Sequence, residues 1–415
     1  MTLGPKHLAR RVIEIYAFQA LSLGASLVVS IVVARSLGPN SKGIADLVVG
    51  LAAIAAEVVL LGLNGGLLYL LANKRRPAAE IHGAALLFSV VAGVAGLSAA
   101  ALIGDWVAEV LAIPREYAVL AFCSVGPTVY LAIWPSALIG MDRAPFVYRV
   151  QFALAALYAA GVLGFLVTGA LDLRSFIGWT VAWWALSLLV EVAMLARLHR
   201  PYRPRPRWAS LKAALAYGLK LYPGNLANWI HFRSDQFVVA ALLGPSAVGL
   251  YALSARWAEL LLLVGYGVAT AGLHQIASLD PAAGHLFAKR LALSVLGITA
   301  SVGAILGVST PFVLPGVYGE AFSGAVVPLL LLIPGIILWD GARILSQFIS
   351  YNAGRPEIPT MVAVGGAVAN VVLALIIVPA LGIAGAALAS TLTYASVVIA
   401  TWIIFLRWKH VPQAH

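Results

Sequence analysis

The chain has 415 residues, of which 62% are apolar, with 27 lysines and arginines against 16 aspartates and glutamates. A soluble protein of this length needs about a quarter of its residues charged to clothe its surface. At 10% charged and a mean hydropathy of +0.96, no soluble domain of ordinary size has room to exist, and the solvent is lipid. Apolar runs between polar punctuation predict helices over 12–34, 44–71, 79–103, 117–140, 147–170, 176–197, 213–242, 247–273, 289–310, 323–349, 357–378 and 384–406. Each reaches the roughly twenty residues that cross a bilayer, so the expected fold is all-α, a polytopic membrane protein with twelve transmembrane helices. Lys6, Arg10 and Arg11 ahead of the first run read as an uncleaved signal anchor.

Several function classes are disfavoured by what the chain lacks. Its single cysteine, Cys123, excludes an internal disulfide, and the eight histidines form no HExxH or Cys/His cluster. There is no P-loop, GxSxG or GxGxxG motif, so hydrolase, kinase and nucleotide-driven pump are all disfavoured. No catalytic residue, metal or cofactor is expected. The net charge of +11 does not point to nucleic acid, because it follows the loops. With the N-terminus inside, the inner segments carry 19 cations, among them Lys74, Arg75, Arg76, Arg143, Arg200, Arg203, Arg205, Arg355 and Lys409. The outer segments hold only Arg35, Lys42, Arg115 and Arg174. The positive-inside rule turns this into a cell-membrane protein with both termini cytoplasmic.

An internal repeat divides the chain. LGPNSKGIADL at 37–47 aligns with LGPSAVGLYAL at 243–253, an offset of 206 with identities at Leu37/Leu243, Gly38/Gly244, Pro39/Pro245, Gly43/Gly249 and Leu47/Leu253. MDRAP at 141–145 and NAGRP at 352–356 are a second echo. The expected organisation is a six-helix lobe over 1–197, a basic Pro/Arg-rich cytoplasmic connector over 198–212, and a second six-helix lobe over 213–415. Two lobes with an even number of spans share one orientation and form a pseudo-symmetric pair with a cavity between them, as in transporters built from parallel repeats.

Ionisable residues at membrane depth are expensive and normally face a cavity or a partner. Glu57 is expected at the middle of helix 2, with Arg233 and Asp235 in helix 7, Arg256 and Glu259 in helix 8, and Asp340 and Arg343 in helix 10. The last two pairs have i, i+3 spacing, so each can be its own ion pair. Asn228, His231 and Asp235 share one face of helix 7, and Pro223-Gly224 is expected to interrupt that helix. Gly62-x-x-x-Gly66, Gly93-x-x-Gly96 and Gly382-x-x-Gly385 read as close helix contacts, and Pro127 and Pro334 as paired bends.

The run NWIHFRSDQFVVAALLGPSAVGLYALSARW at 228–257 resembles the start of the second half of Wzx-type oligosaccharide flippases, polysaccharide-biosynthesis membrane proteins of the multidrug/oligosaccharidyl-lipid/polysaccharide (MOP) superfamily. ARSLGPNSKG at 34–43, VYGEAF at 317–322 and LGIAGAALAS at 381–390 are similar to the same pattern; AGLHQIAS at 271–278 departs from it, lacking the proline that commonly closes helix 8. The resemblance implies a MOP/MATE-like fold and alternating-access transport of a lipid-linked oligosaccharide from the cytoplasmic to the outer leaflet. The implied partners are a polyprenyl-(pyro)phosphate-linked glycan, membrane lipid, a glycan polymerase and glycosyltransferases. On this reading Arg233, Arg256, Arg343, Asn228 and His231 are the expected substrate-binding residues of the central cavity, and Glu57 and Asp235 are the ion-coupling candidates. The alternative is a cation-coupled multidrug or metabolite exporter on the same fold, which Glu57 and Asp235 suit and the three arginines do not. A membrane glycan polymerase would need a larger catalytic outer loop than 104–116 or 311–322 provides.

Overall fold

The computed structural model describes residues 5–73, 75, 77–198 and 205–408. Lys74, Arg76, Arg200, Arg203 and Lys409, the side chains of Lys6 and Arg10, and connector residues 199–204 lie outside the described residues. Among those described there are helices and no strand: α1 (Pro5–Leu60), α2 (Leu63–Ala72), α3 (Ala78–Val110), α4 (Arg115–Cys123), α5 (Val125–Gly140), α6 (Ala144–Val167), α7 (Leu173–Leu198), α8 (Trp208–Leu243), α9 (Pro245–Glu259), α10 (Leu262–Ser278), α11 (Pro281–Tyr318), α12 (Val326–Gln347) and α13 (Glu357–Arg407). A 3-10 turn at Glu320–Ala325 and a π turn at Phe348–Asn352 flank α12. By length and apolarity seven of the described helical stretches can cross a membrane, or eight if the α4–α5 pair, bent by 40°, is one span. Leu102, Val167, Val308 and Phe312 are each more than three-quarters exposed, which only a lipid solvent tolerates in such numbers. The chain is a multi-pass membrane protein.

The helix breaks fall where the sequence repeats itself. Gly38 (φ 71°, ψ 176°) kinks α1 and Gly244 (φ 81°, ψ 177°) separates α8 from α9, the same backbone conformation at equivalent positions. A positive φ is open to glycine at little cost, and the proline that follows each, Pro39 or Pro245, starts the next helix where its missing N–H is harmless. The second echo behaves alike: Asp142 (φ 60°) and Gly354 (φ 70°) adopt left-handed conformations immediately before Arg143 and Arg355. Gly382 (φ 60°) is a kink inside α13 rather than the helix contact expected of it. Pro127 lies in the first turn of α5, just past the break at Ser124, whereas Pro334 sits inside an unbroken α12, so the two are not paired bends.

The chain forms two compact units, residues up to Tyr222 and residues from Pro223 onward. In the first, Leu60, Leu63, Leu67, Ile81, Phe88, Val129 and Ile133 bury together with Leu211 and Ala214 from the start of α8. Small residues make that contact possible. A Cβ on Gly66 would lie 2.0 Å from the Ala214 carbonyl oxygen, so α2 and α8 touch backbone to backbone. At the start of α3, Glu80 accepts from Ser210 Oγ (2.7 Å) and pairs with Arg207 (3.3 Å). In the second unit, Ala288, Ala292, Val295, Ile344, Leu345, Phe348 and Phe405 form the core among α11, α12, the π turn and α13.

Helix α8 is not interrupted at Pro223-Gly224; it runs continuously from Trp208 to Leu243 with Pro223 inside. A proline removes one intrahelical hydrogen bond and crowds one carbonyl, which a helix can survive by bending slightly. The division between the two units nonetheless falls at this proline.

Candidate functional site

The polar side chains of the second unit gather on α8, α9, α12 and α13. Arg233 of α8 reaches Glu259 of α9 with two bonds, Nη1 to Oε1 at 2.7 Å and Nη2 to Oε2 at 3.0 Å. This fork-to-fork geometry is the strong form of the arginine–carboxylate pair. The i, i+3 spacing points Glu259 toward Arg256 of its own helix; the structure adds a partner from another helix. Two of the five guanidinium N–H groups are thereby used on one edge, Nη1 also lies 3.5 Å from the Phe232 carbonyl, and the Nε–H edge is left over. The pair is about one-quarter exposed on each side, so Glu259 holds the guanidinium in place without sealing it off.

Two residues along, Asp235 is buried and surrounded by donors. Tyr251 O–H and Ser390 O–H (3.0 Å) both donate to Oδ2, and the Gln236 N–H donates to Oδ1 (2.8 Å). Ser390 in turn accepts from Asn370 Nδ2 (3.2 Å), which also donates to Thr393 Oγ1 (3.1 Å), while Ser234 donates to Asn370 Oδ1 (3.2 Å). Asn370 precedes the Gly382 kink and Ser390 and Thr393 follow it. The network therefore ties α8 and α9 to both limbs of α13.

His231 is separate from this network. It is buried, neither ring nitrogen has a hydrogen-bond partner, and its ring packs against Trp339 and Tyr394 at 4.8 Å from each, those two rings being 5.3 Å apart. Phe232 stands edge-on to Trp339 at 5.4 Å. The two rings Phe232 and Trp339 are half-buried, on a base made by His231 and Tyr394. Asn228, a turn earlier on the same helical face, is exposed and joins neither group.

Farther along, the fully buried Asp340 accepts from Thr299 Oγ1 and the Gly265 N–H, both at 2.9 Å, and lies 3.9 Å from Arg343 Nε. Arg343 packs its guanidinium over Tyr266, 3.6 Å from the ring centroid. This pair does sit within its own helix, as its spacing implied. Arg256 is exposed at the end of α9. Glu57 is half-buried in the first unit, near the C-terminal end of α1, where Tyr222 O–H donates to the adjoining Val58 carbonyl (3.0 Å).

The geometry thus brings Arg233 together with Glu259, and Asp235 with Tyr251, Ser390 and Asn370, while Asn228 and Arg343 stand apart from both groups. Arg233 and Arg343 each stand beside a carboxylate, so the charge of these two is compensated within the second unit. Outside the membrane-spanning helices, Asp172 is held below the usual carboxylate range by the Ser175 backbone N–H and hydroxyl. It is a turn-forming residue ahead of α7 and has no link to the polar groups above.

Residues 32–271, more than half of the chain, match the family described as polysaccharide biosynthesis protein. The chain belongs to that family. Curated proteins offer no match to it. Among solved structures, the lipid II flippase MurJ in an inward closed conformation is similar over 94% of this chain and 87% of its own, with a TM-score of 0.74 at 12% identity. An inward-facing MATE multidrug-resistance transporter of the MOP superfamily is similar over 95% of this chain and 97% of its own, with a TM-score of 0.72 at 16% identity. A MOP superfamily transporter from Pyrococcus furiosus with a binding pocket of reverse polarity is similar over 96% of this chain and 94% of its own, with a TM-score of 0.60 at 14% identity. At such identities the likeness establishes the fold: this polysaccharide biosynthesis protein has the architecture of a membrane transporter of the MOP superfamily.

Proposed function

We propose that the protein is a flippase that moves a lipid-linked oligosaccharide or polysaccharide repeat unit from the cytoplasmic to the outer leaflet. The observation that carries this reading is the family match over 32–271, to which the likeness to a lipid II flippase over most of both chains adds support. The second unit offers suitable chemistry. The remaining edge of Arg233 suits a phosphate oxygen pair, since a guanidinium already clamped by Glu259 loses little freedom on meeting one. The half-buried rings of Phe232 and Trp339 are next to it along the chain or in contact, and flat apolar faces of this kind suit the C–H face of a sugar ring. Asp235, whose oxygens already accept three donors, is better placed as a switch on its hydrogen-bond network than as a ligand for a bare metal cation.

The test is reconstitution into liposomes that carry a polyprenyl-pyrophosphate-linked short glycan with a fluorescent sugar. Without protein, a membrane-impermeant glycosidase should reach about half of the label, that of the exposed leaflet. With protein, nearly all of it should become accessible. Protein that leaves the inner half protected while moving a lipophilic dye cation across the same membrane would replace this reading by the exporter.

The proposed orientation has both termini in the cytoplasm, following the cation distribution. In a Cys123→Ser background, the variants Ser41→Cys, Asp172→Cys and Ser246→Cys should react with an impermeant maleimide added outside intact cells. Arg75→Cys, Arg205→Cys and Arg355→Cys should react only after the membrane is opened. Protection of Ser246→Cys together with labelling of Arg205→Cys would reverse the topology.

A further inference from the structure

Helix α7 carries one acid, Glu191, within an otherwise apolar run. It is 3% exposed and its Oε2 has no hydrogen-bond partner. Burial along α7 recurs at Thr180, Ser187, Glu191 and Leu195, steps of seven and four residues that place them on one face. That face is turned to α5 and α6. Leu188, Val192 and Leu195 pack there around Tyr130, Trp134 and Leu138, with Val147 and Val150 of α6 completing the cluster. That cluster holds an orphan of its own: the Trp134 Nε1–H is buried with nothing to donate to. One helix seam thus holds a carboxyl oxygen lacking a donor and an indole N–H lacking an acceptor.

The helices packed on α7 are α1, α4, α5 and α6. Besides Arg174 and Arg197 of α7 itself, the titratable groups whose side chains are described on these helices are Arg11, Glu14 and Tyr16 on α1, Glu116, Tyr117 and Cys123 on α4, Tyr130 on α5, and Tyr148, Arg149 and Tyr158 on α6, with Arg35, Lys42, Asp46 and Glu57 farther along α1 and Arg115 opening α4. Arg149 pairs with Glu14, Arg11 with Asp142 (2.9 Å), Arg115 with Asp105 and Lys42 with Asp46, and Tyr158 meets Thr180 (2.8 Å). Among the described residues no cation comes within ion-pair distance of Glu191. An ionised carboxylate without a partner is strongly disfavoured in such a place, whereas a neutral carboxylic acid is tolerated.

We propose that Glu191 is a proton-binding site of the first unit: a neutral acid in the packed seam that releases its proton to water when α7 parts from its neighbours, the resulting carboxylate then being solvated by that water. The O–H bond of the carboxyl is the only covalent bond broken, and no redox partner is required. Protonation and the packing of α7 on its neighbours are thereby linked, since the packed arrangement binds the proton more tightly than the opened one. A proton gradient would act on the first unit through this residue, whatever compound the protein carries.

The test is infrared spectroscopy of the whole protein in lipid, following the carbonyl stretch of protonated carboxyl groups. At neutral pH the parent should show such a band, sensitive to deuterium, and Glu191→Gln should lose a component of it that Glu57→Gln retains. On raising the pH that component should vanish reversibly while the helical circular dichroism is kept. Should the glutamine variant fail to fold, the same question is answered on the parent by reacting it with a hydrophobic carbodiimide and mapping the adduct: incorporation at Glu191 at neutral pH and its loss at alkaline pH are expected. A parent band unchanged by Glu191→Gln, or a component that persists at every pH at which the protein stays folded, would overturn the proposal. None of these readouts depends on which substrate is transported.

Discussion

Arg233→Ala is expected to reduce the amount of folded protein before it affects transport as such. The substitution leaves the Glu259 carboxylate inside a membrane-embedded helix pair with both of its 2.7 and 3.0 Å bonds gone. Removing one member of a fully buried pair costs about 3–5 kcal/mol. Here both side chains are about one-quarter exposed, so solvent screening lowers the expectation to roughly 2 kcal/mol. That is about a thirtyfold shift in the ratio of folded to unfolded protein, visible as a lower yield of monodisperse protein in detergent. The double variant Arg233→Met with Glu259→Met removes both charges and keeps the volume, and replacing an ion pair by apolar side chains is commonly neutral or stabilising. Its folded yield should return to near the parental level.

Transport by that double variant then reads function alone. If the outer edge of Arg233 meets a phosphate, the folded double variant should flip substrate at least about tenfold more slowly, the loss expected when a charge-assisted hydrogen bond worth about 1.5–3 kcal/mol disappears. Arg233→Lys should fall between the two, because lysine keeps the charge but loses the two-pronged geometry. Parental flipping by the folded double variant would make the pair purely structural and move the phosphate contact elsewhere, with the exposed Arg256 the first residue to examine.

Why some of this was visible in the sequence and some was not follows from the range over which each interaction acts. The breaks at Gly38 and Gly244 are local: a glycine that takes a positive φ and a proline that starts a helix sit side by side in the chain, so the repeat at 37–47 and 243–253 carries its own geometry. Asp340 and Arg343 were legible for the same reason, as neighbours on one turn. Arg233 and Glu259 were not, because the partner lies 26 positions away on another helix and the local spacing offered Arg256 first. Tyr251 and Ser390 around Asp235, and Trp339 and Tyr394 around His231, are ordinary residues in sequence that gain meaning only from the packing of α9, α12 and α13 on α8. Glu191 is a different case. It is the single acid of α7 and lies inside the run predicted as a helix over 176–197, yet the sequence reading singles out Glu57 in this half and passes over it; that its neighbours leave Glu191 without a donor is visible only in the packing.

Gly62→Ala should be among the most damaging single substitutions in the chain, for two separable reasons. Gly62 has φ 70°, a conformation that costs a residue with a Cβ about 1–2 kcal/mol. Its added methyl would also lie 2.3 Å from the Gly218 carbonyl oxygen and 2.8 Å from the carbonyl carbon, backbone atoms that no side-chain rotation can remove. To make room, α2 would have to withdraw from α8, exposing the buried faces of Leu63, Leu67 and Ala214. Together these effects should exceed about 3 kcal/mol, the range reached by overpacking and backbone strain combined. In a unit of this size the corresponding fall in melting temperature is about 6–12 °C. Gly218→Ala separates the two causes. Its helical backbone accepts alanine, yet its Cβ would lie 2.4 Å from the Gly62 carbonyl oxygen, so it should show the clash without the strain and melt between Gly62→Ala and the parent. Gly24→Ala and Gly297→Ala are the controls, since nothing lies within 4 Å of a Cβ at either position. Both are in helices, where alanine gains about 0.5–1 kcal/mol over glycine, and both should melt at or slightly above the parental temperature. Melting of Gly62→Ala and Gly218→Ala within a degree or two of these controls would mean that α2 and α8 do not meet backbone to backbone.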